Sequence, residues 1–299
     1  MEPDAETLGW VRDTLGDFRI ASHFAHSHGG AQLWRLSTAS DHVWLKLHAR
    51  RPKWACEVHA LVHWSEPLMP RLLGSRPGAV LLTDCEGDDA TTLTGNAADR
   101  MWTEAGAWLR RFHARTGTWF GNVTIDGAPN GEVSTEPTFH LTNGFAKRVR
   151  QGRNSGLLDA ATIAVVEKRF LAGLDAFRDA PAHSTHRDFH PRNWLAAPDG
   201  RLTAVIDFEH ARWDLRVVDH IRSWDNEFLR EPRLVDAFYA GYGEPDARFV
   251  QQIETMRLWA NVVSAVWAEE VGDSAYCRQN LEGLARMIAS TPQSSASLA

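Results

Sequence analysis

Between Thr185 and Leu195 the chain reads Thr-His-Arg-Asp-Phe-His-Pro-Arg-Asn-Trp-Leu, and shortly afterwards it reaches Val205-Ile206-Asp207-Phe208-Glu209. The turn Pro198-Asp199-Gly200 and the apolar run Leu202 to Ile206 predict a loop that leads into a β-hairpin. Such a hairpin carries Asp188, Asn193 and Asp207 to one place. Moving a γ-phosphoryl group needs a carboxylate to orient the acceptor hydroxyl and take its proton, together with oxygen ligands that hold Mg²⁺ against the phosphates. Asp188 suits the first task, and Asn193 and Asp207 suit the second. His190 and Arg192 stand where they could touch the γ-phosphate or pack the loop. Glu209 could reach a second metal or lie exposed.

The order His-Arg-Asp, four residues, Asn, then Asp-Phe at the end of a hairpin is that of kinase catalytic and metal segments. Such a centre requires an upstream hairpin with a phosphate-covering loop, a strand lysine and a helix glutamate to pair it. Arg19 to Phe24 and Leu33 to Ser37 read as strands around the glycine turn Ser27-His28-Gly29-Gly30-Ala31, with Gly29 and Gly30 as the candidate phosphate cover. A third strand, Val43 to Leu47, places Lys46 where the phosphate-binding lysine belongs. Glu57 follows eleven residues later, in a segment from Trp54 to Trp64 with helical apolar spacing, and is its candidate partner. Arg71 to Gly74 and Ala79 to Thr83 complete a five-stranded small lobe.

With these residues in place the chain resembles the aminoglycoside phosphotransferase and choline kinase-like family, small-molecule kinases with a protein-kinase-like fold, over nearly its whole length. That family's catalytic segment carries His-Gly-Asp, then Leu-His-Pro, a variable residue and Asn. Here His186, Asp188, His190, Pro191 and Asn193 fall in step, while Arg187 replaces the glycine. The resemblance implies that His186 supports the loop and that Asp219 braces it from behind, although Trp213-Asp214-Leu215-Arg216-Val217-Val218-Asp219 lacks the family's Gly and Pro. It also implies a hinge at Leu81 to Gly87, with the Thr83 carbonyl and the Cys85 N–H meeting the nucleobase. The expected fold is α+β and two-lobed, a small antiparallel sheet lobe over residues 1–86 and a mostly helical lobe over 87–299. Only twelve residues separate Asp207 from Asp219, with no Ala-Pro-Glu sequence, so there is no room for a peptide-binding activation segment. A small-molecule acceptor follows.

Composition sets the remaining bounds. At 299 residues and 43% hydrophobic, the chain can bury the core of two lobes. No run approaches the roughly 18 apolar residues of a membrane span, and Met1 to Asp17 reads as an acidic amphipathic helix, so a cytoplasmic enzyme is expected. Cys56, Cys85 and Cys277 are widely spaced and expected as free thiols. A net charge of −6 argues against nucleic acid and leaves cationic acceptors open. His23, His26 and His28, or Glu57, His59 and His63, could draw zinc, but neither set closes a ligand shell and hydrogen-bonding histidines are the favoured reading.

Helices are expected at Ala97 to Arg115, Phe145 to Gln151, Asp159 to Arg178, His220 to Leu229, Arg233 to Tyr242, Ala247 to Val271 and Ala275 to Ile288, with a long loop from Thr116 to Pro137. Asp225, Glu227, Glu269 and Glu270, with Trp224, Trp259 and Trp267, form the pool from which an acidic, aromatic acceptor cleft is expected. The expected activity is transfer of the γ-phosphoryl of ATP to a hydroxyl of an aminoglycoside or other basic antibiotic. Leu82 before the hinge leaves room for adenine, and GTP is the alternative nucleotide. A metabolic kinase for choline, a sugar or homoserine is the competing reading. A nucleotide-binding pseudokinase is the third, and the intact Lys46, Glu57, Asp188, Asn193 and Asp207 speak against it.

Overall fold

A computed structural model describes residues 2–25 and 30–290. Gly29, His26 and His28 of the glycine turn, and the tail 291–299, lie outside the described residues. In chain order the first helices and strands are α1 (Ala5–Leu15), β1 (Arg19–Ala25), β2 (Gln32–Ser37), β3 (His42–Leu47), α2 (Arg51–His63), β4 (Leu72–Arg76), β5 (Ala79–Thr83) and β6 (Asp88–Asp89). Then come α3 (Gly95–Phe112), β7 (Thr116–Gly117), α4 (Pro137–Asn154), α5 (Ala160–Gly173), β8 (Ala182–Thr185), β9 (Trp194–Ala196), β10 (Leu202–Val205) and β11 (Arg212–Asp214). The chain closes with α6 (Ile221–Trp224), α7 (Glu227–Arg230), α8 (Arg233–Tyr242), α9 (Ala247–Glu270) and α10 (Ser274–Ala289). Two compact units interleave along the sequence: Met1–Glu104 with Gly121–Glu132 and His186–Arg212, and Ala105–Phe120 with Val133–Thr185 and Trp213–Ala299.

In the first unit, five antiparallel strands run in the order β1-β2-β3-β5-β4. The period of two decides what each face does. Val43 and Leu45 of β3 pack with Trp34, Leu36, Ala79, Leu81 and Val11 of α1 into one core. The alternate residues Trp44 and Lys46 therefore share the other face. Asp4 caps α1 by accepting the Thr7 N–H at 2.7 Å, and α1 stops at Gly16.

Past β5 the chain lies close to the hairpin of residues 194–205. Gly87 has φ +114°, and a β-carbon there would stand 2.2 Å from Thr203 Oγ1 and 3.0 Å from the Ala196 nitrogen, so only glycine fits. Immediately afterwards β6 pairs with β9, giving a three-stranded sheet β10-β9-β6. The hairpin turn forms at the predicted Pro198-Asp199-Gly200, where Asp199 Oδ1 accepts the Arg201 N–H at 3.0 Å.

In the second unit α9 is the long central helix, capped by Asp246 and packed against α4, α5 and α10. Phe145 of α4 stacks on Phe170 of α5 at 3.9 Å. The expected helix at 145–151 is part of a longer one, because Leu141, Phe145 and Val149 continue a single buried stripe from Pro137 onward. The segment 220–229 is two short helices, broken at Asp225-Asn226. Helix α5 ends at Gly173, where a β-carbon would meet Thr255 Oγ1 at 2.0 Å, and the chain continues as a 3₁₀ turn. Among the described residues no helix is long and apolar enough to cross a membrane.

Candidate active site

Lys46, on β3, is 3% exposed and faces three carboxylates. Its Nζ lies 3.0 Å from Glu57 Oε2, 2.6 Å from Asp207 Oδ1 and 3.4 Å from Glu209 Oε2. Burial alone would lower the lysine's hold on its proton. Asp207, Glu57 and Glu209 outweigh that penalty and hold its pKa above the ordinary value, so it is a firm cation. Burial likewise pushes Glu57 up, but Lys46 and His48 bring it down to about 2. The backbone N–H of Phe208 donates to Glu57 Oε1 at 3.3 Å and ties the Asp207 segment to α2.

Two cations extend this cluster. His48, just past β3, has a fully buried ring with Nε2 at 2.8 Å from Glu57 and Nδ1 at 3.5 Å from Glu209. Both ring nitrogens therefore face carboxylate oxygens, which favours the charged imidazolium. Its pKa is raised, Glu209 and Glu57 outweighing the effect of burial. Lys53 of α2 donates to Glu209 Oε1 at 2.5 Å. Glu209 is thus 8% exposed and held ionised by His48, Lys46 and Lys53 against its burial, which corrects the reading of an exposed glutamate.

The catalytic segment is tied together locally. Pro191 starts a 3₁₀ turn over Pro191–Asn193, which swings Asn193 back towards Asp188. Asn193 Nδ2 donates to Asp188 Oδ2 at 3.0 Å and to its carbonyl at 2.9 Å, leaving Oδ1 as the end of the amide that a cation would meet. His190 Nε2 stands 3.4 Å from Asp188 Oδ1. The buried His186 accepts the Asp188 N–H at Nδ1 (3.3 Å) while Nε2 donates to the Ile206 carbonyl (3.0 Å), so one ring joins the loop to the residue before Asp207. The Ile206 N–H returns to the Asn193 carbonyl at 2.9 Å. Arg187 and Asp207 both adopt left-handed backbone, φ +66° and +68°. The first explains why the related motif has glycine there, and strain at both is of the kind stored at functional sites.

At the segment expected as the hinge, Thr83 takes the Arg71 N–H on its hydroxyl at 2.9 Å and donates its own N–H to the Arg71 carbonyl at 3.0 Å. Asp84 is held by Arg35 Nη2 at 2.5 Å and by the Trp44 indole N–H at 2.7 Å. Cys85 beside it is partly buried, and burial followed by Asp84 pushes its thiol up to about 11. Trp44, two residues before Lys46 on the same strand face, was missed by sequence reasoning. Its position at i−2 from the lysine in a period-two strand was the available signal. Gly30 is described without a partner assigned.

The acceptor candidates do not converge. Asp225 is paired with Arg257 at 2.6 Å and receives Asn261 Nδ2 at 3.1 Å. Glu269 accepts from Ser155 at 2.8 Å and Glu270 from Gln151 at 3.1 Å, both near the end of α4. Arg257 and Glu269 lie on one helix, roughly 18 Å apart at 1.5 Å per residue, so Asp225 and the 269–270 pair cannot grip one small molecule together. Trp267 meets Tyr276 edge-on at 6.1 Å. Glu227 keeps Oε2 buried without a hydrogen bond. Asp219, in the same unit as these, accepts His113 Nε2 at 2.9 Å, with Tyr242 OH 2.9 Å from the other ring nitrogen. His59 turns its Nδ1 to the Ile125 carbonyl at 3.2 Å, serving a loop. Among the described residues, no group of three or more His, Cys, Asp or Glu side chains is arranged to hold a metal, and Cys56, Cys85 and Cys277 are free thiols.

The profile of the phosphotransferase enzyme family matches residues 25–258. No curated protein sequence matches the chain. Among solved structures, a thermostable mutant of aminoglycoside phosphotransferase APH(4)-Ia in ternary complex with AMP-PNP and hygromycin B is similar at 14% identity and a TM-score of 0.74, covering 95% of this chain and 99% of that one. The GDP complex of aminoglycoside 2'-phosphotransferase-IIIa is similar at 15% identity and a TM-score of 0.68, covering 96% and 99%. The gentamicin complex of APH(2")-IIa has 15% identity and a TM-score of 0.66, covering 96% and 97%. These likenesses give the α+β, protein-kinase-like two-lobe fold.

Proposed function

The chain belongs to the phosphotransferase enzyme family, and from that premise we propose that it moves the γ-phosphoryl group of ATP, or of GTP, to a hydroxyl of a cationic small molecule of the aminoglycoside type. One observation carries the reading: Lys46, Glu57, Asp188, Asn193 and Asp207 all lie in one compact unit, with Lys46 bonded to Glu57 and Asp207 and Asn193 bonded to Asp188. That the similar structures are described with AMP-PNP, GDP, hygromycin B and gentamicin supports the classes of donor and acceptor.

Each residue has a task in this scheme. Lys46, aligned by Glu57, holds the α- and β-phosphates, and its release of Asp207 Oδ1 frees that oxygen. Asn193 Oδ1 and Asp207 are hard oxygen donors suited to Mg²⁺, which when bound supplies charge neutralisation for the phosphates. Asp188, steered by Asn193 and His190, orients the acceptor hydroxyl and accepts its proton. The Thr83 carbonyl and Cys85 N–H meet the nucleobase, Gly29 and Gly30 cover its phosphates, and the Trp44 indole offers it a flat face. His186 and Asp219 are supports, and residues 1–86 and 87–299 act as the two lobes with the hinge near 83–87. Of Asp225, Glu227, Trp267, Glu269 and Glu270, which do not converge on one acceptor, Glu227 is preferred because its buried oxygen lacks a donor that an ammonium group would supply.

The test is a mass-spectrometric screen with Mg²⁺, ATP and GTP against aminoglycosides, basic peptides, choline and simple sugars, with Asp188→Asn alongside. A phosphoryl mass gain on an aminoglycoside that the variant lacks supports the proposal. Gain only on choline or a sugar makes this a metabolic kinase, and no gain on any acceptor together with nucleotide binding leaves either an acceptor outside the panel or a pseudokinase.

A further inference from the structure

The helical unit contains a cavity of ≈ 440 Å³ that no step above uses. It is bounded by the end of α3, by β8, by the turn after β11 and by the loop joining α8 to α9. Two guanidinium groups line it. Arg216 lies over the Phe249 ring at 4.5 Å, which holds the planar group in place. Arg110 reaches the same space, its Nη1 4.0 Å from where a β-carbon on Gly243 would stand. Among the described residues neither arginine has a carboxylate within ion-pair distance.

Two carboxylates also line the cavity, neither of them in an ion pair with these arginines. Asp246 turns its carboxylate to the start of α9, accepting the Phe249 N–H at 2.7 Å, and Glu244 adds one negative charge to the lining. His183 hands Nδ1 to the His113 carbonyl at 2.7 Å. Burial pulls His183 down to about 4, and Arg216 adds to that fall, so the ring is neutral near pH 7 and leaves the arginines as the cations. Burial followed by His113 and Arg216 lowers His220 in the same way. The charge of Arg216, which also hydrogen-bonds Tyr242, is therefore felt by both rings.

We propose that this cavity is a second ligand site, taking a small molecule that bears an oxyanion, phosphate or carboxylate, in the forked N–H groups of Arg110 and Arg216. The occupant bears on the phosphotransferase through His113, which lines the cavity and holds both Asp219 and Tyr242. An oxyanion there draws on Arg216, changes what Tyr242 and His113 share, and so alters the support of Asp219.

Calorimetric titration of the full chain with inorganic phosphate, and separately with citrate, in saturating nucleotide and Mg²⁺, tests this. Saturable binding of either anion is expected, with phosphate and citrate separating the two oxyanion types. Affinity falls about tenfold for each arginine removed, the scale of one charge-assisted contact, in Arg110→Gln and in Arg110→Gln/Arg216→Gln. Arg110 is exposed, so the single variant keeps the test open if the double one fails to fold. No saturable binding of either anion, or unchanged affinity in folded Arg110→Gln, overturns the proposal. Because heat of anion binding needs no turnover, failure of the phosphoryl-transfer reading is seen separately in the product screen.

Discussion

Replacing Lys46 by methionine keeps the length of the stem and removes only the charge, so it measures what the buried cluster demands. Glu57 is 1% exposed and would keep His48 and the Phe208 N–H but lose its closest permanent cation. Breaking a buried pair from one side costs about 3–5 kcal/mol. The lower end applies, because Lys53 still satisfies Glu209 at 2.5 Å and Asp207 is a quarter exposed and can turn to water. The lowered pKa of Glu57 has the same sense, Lys46 and then His48 outweighing its burial. Urea unfolding followed by tryptophan fluorescence should show a loss of about 3 kcal/mol at neutral pH, and Lys46→Met/Glu57→Gln should recover much of it. The pH dependence has a definite sign. A depressed carboxyl stabilises the fold above pH 4.5, its ordinary value, and loses that contribution as pH falls towards about 2. The methionine variant, with Glu57 less depressed, should lose less on acidification. A single variant within about 1 kcal/mol of wild type, with an unchanged acid transition and no recovery in the double variant, would refute the reasoning.

Asp188→Asn should lower kcat by about two orders of magnitude or more with nucleotide affinity unchanged in equilibrium titration; equal turnover removes the residue from proton transfer. At Arg187, where φ is +66°, the usual ranking of alanine above glycine should reverse, Arg187→Gly being more stable than Arg187→Ala by about 1 kcal/mol in chemical denaturation. Gly87→Ala should weaken nucleotide binding and destabilise the fold by about 1–3 kcal/mol, since the methyl group must displace Thr203 and the backbone is left-handed; a neutral effect in thermal melts would mean that the hinge is not pinned to the hairpin.

What the sequence disclosed was what local chain geometry controls. Asp188, Asn193 and Asp207 were legible because a turn and a hairpin fix their separation. Strand β5 and helix α8 were read with the observed ends, because their periodicity is uninterrupted. Lys46 and Glu57 were legible from their order along one sheet and helix. Glu209 was not legible as a buried residue, because its partners His48 and Lys53 lie more than 150 residues earlier and nothing local distinguishes it from a solvated glutamate. The split of the acceptor pool escaped for the same reason: Asp225 and the Glu269–Glu270 pair come apart only once their partners Arg257, Ser155 and Gln151 are known.

The placement of the donor residues in one contact unit has a consequence for how such an enzyme diversifies. Lys46 is bonded to Glu57 and Asp207, and Asn193 to Asp188, all within one unit, so a substitution in the helices of the other unit removes none of these contacts. Selection for a new acceptor can then act on one set of residues while the phosphate chemistry is inherited unchanged.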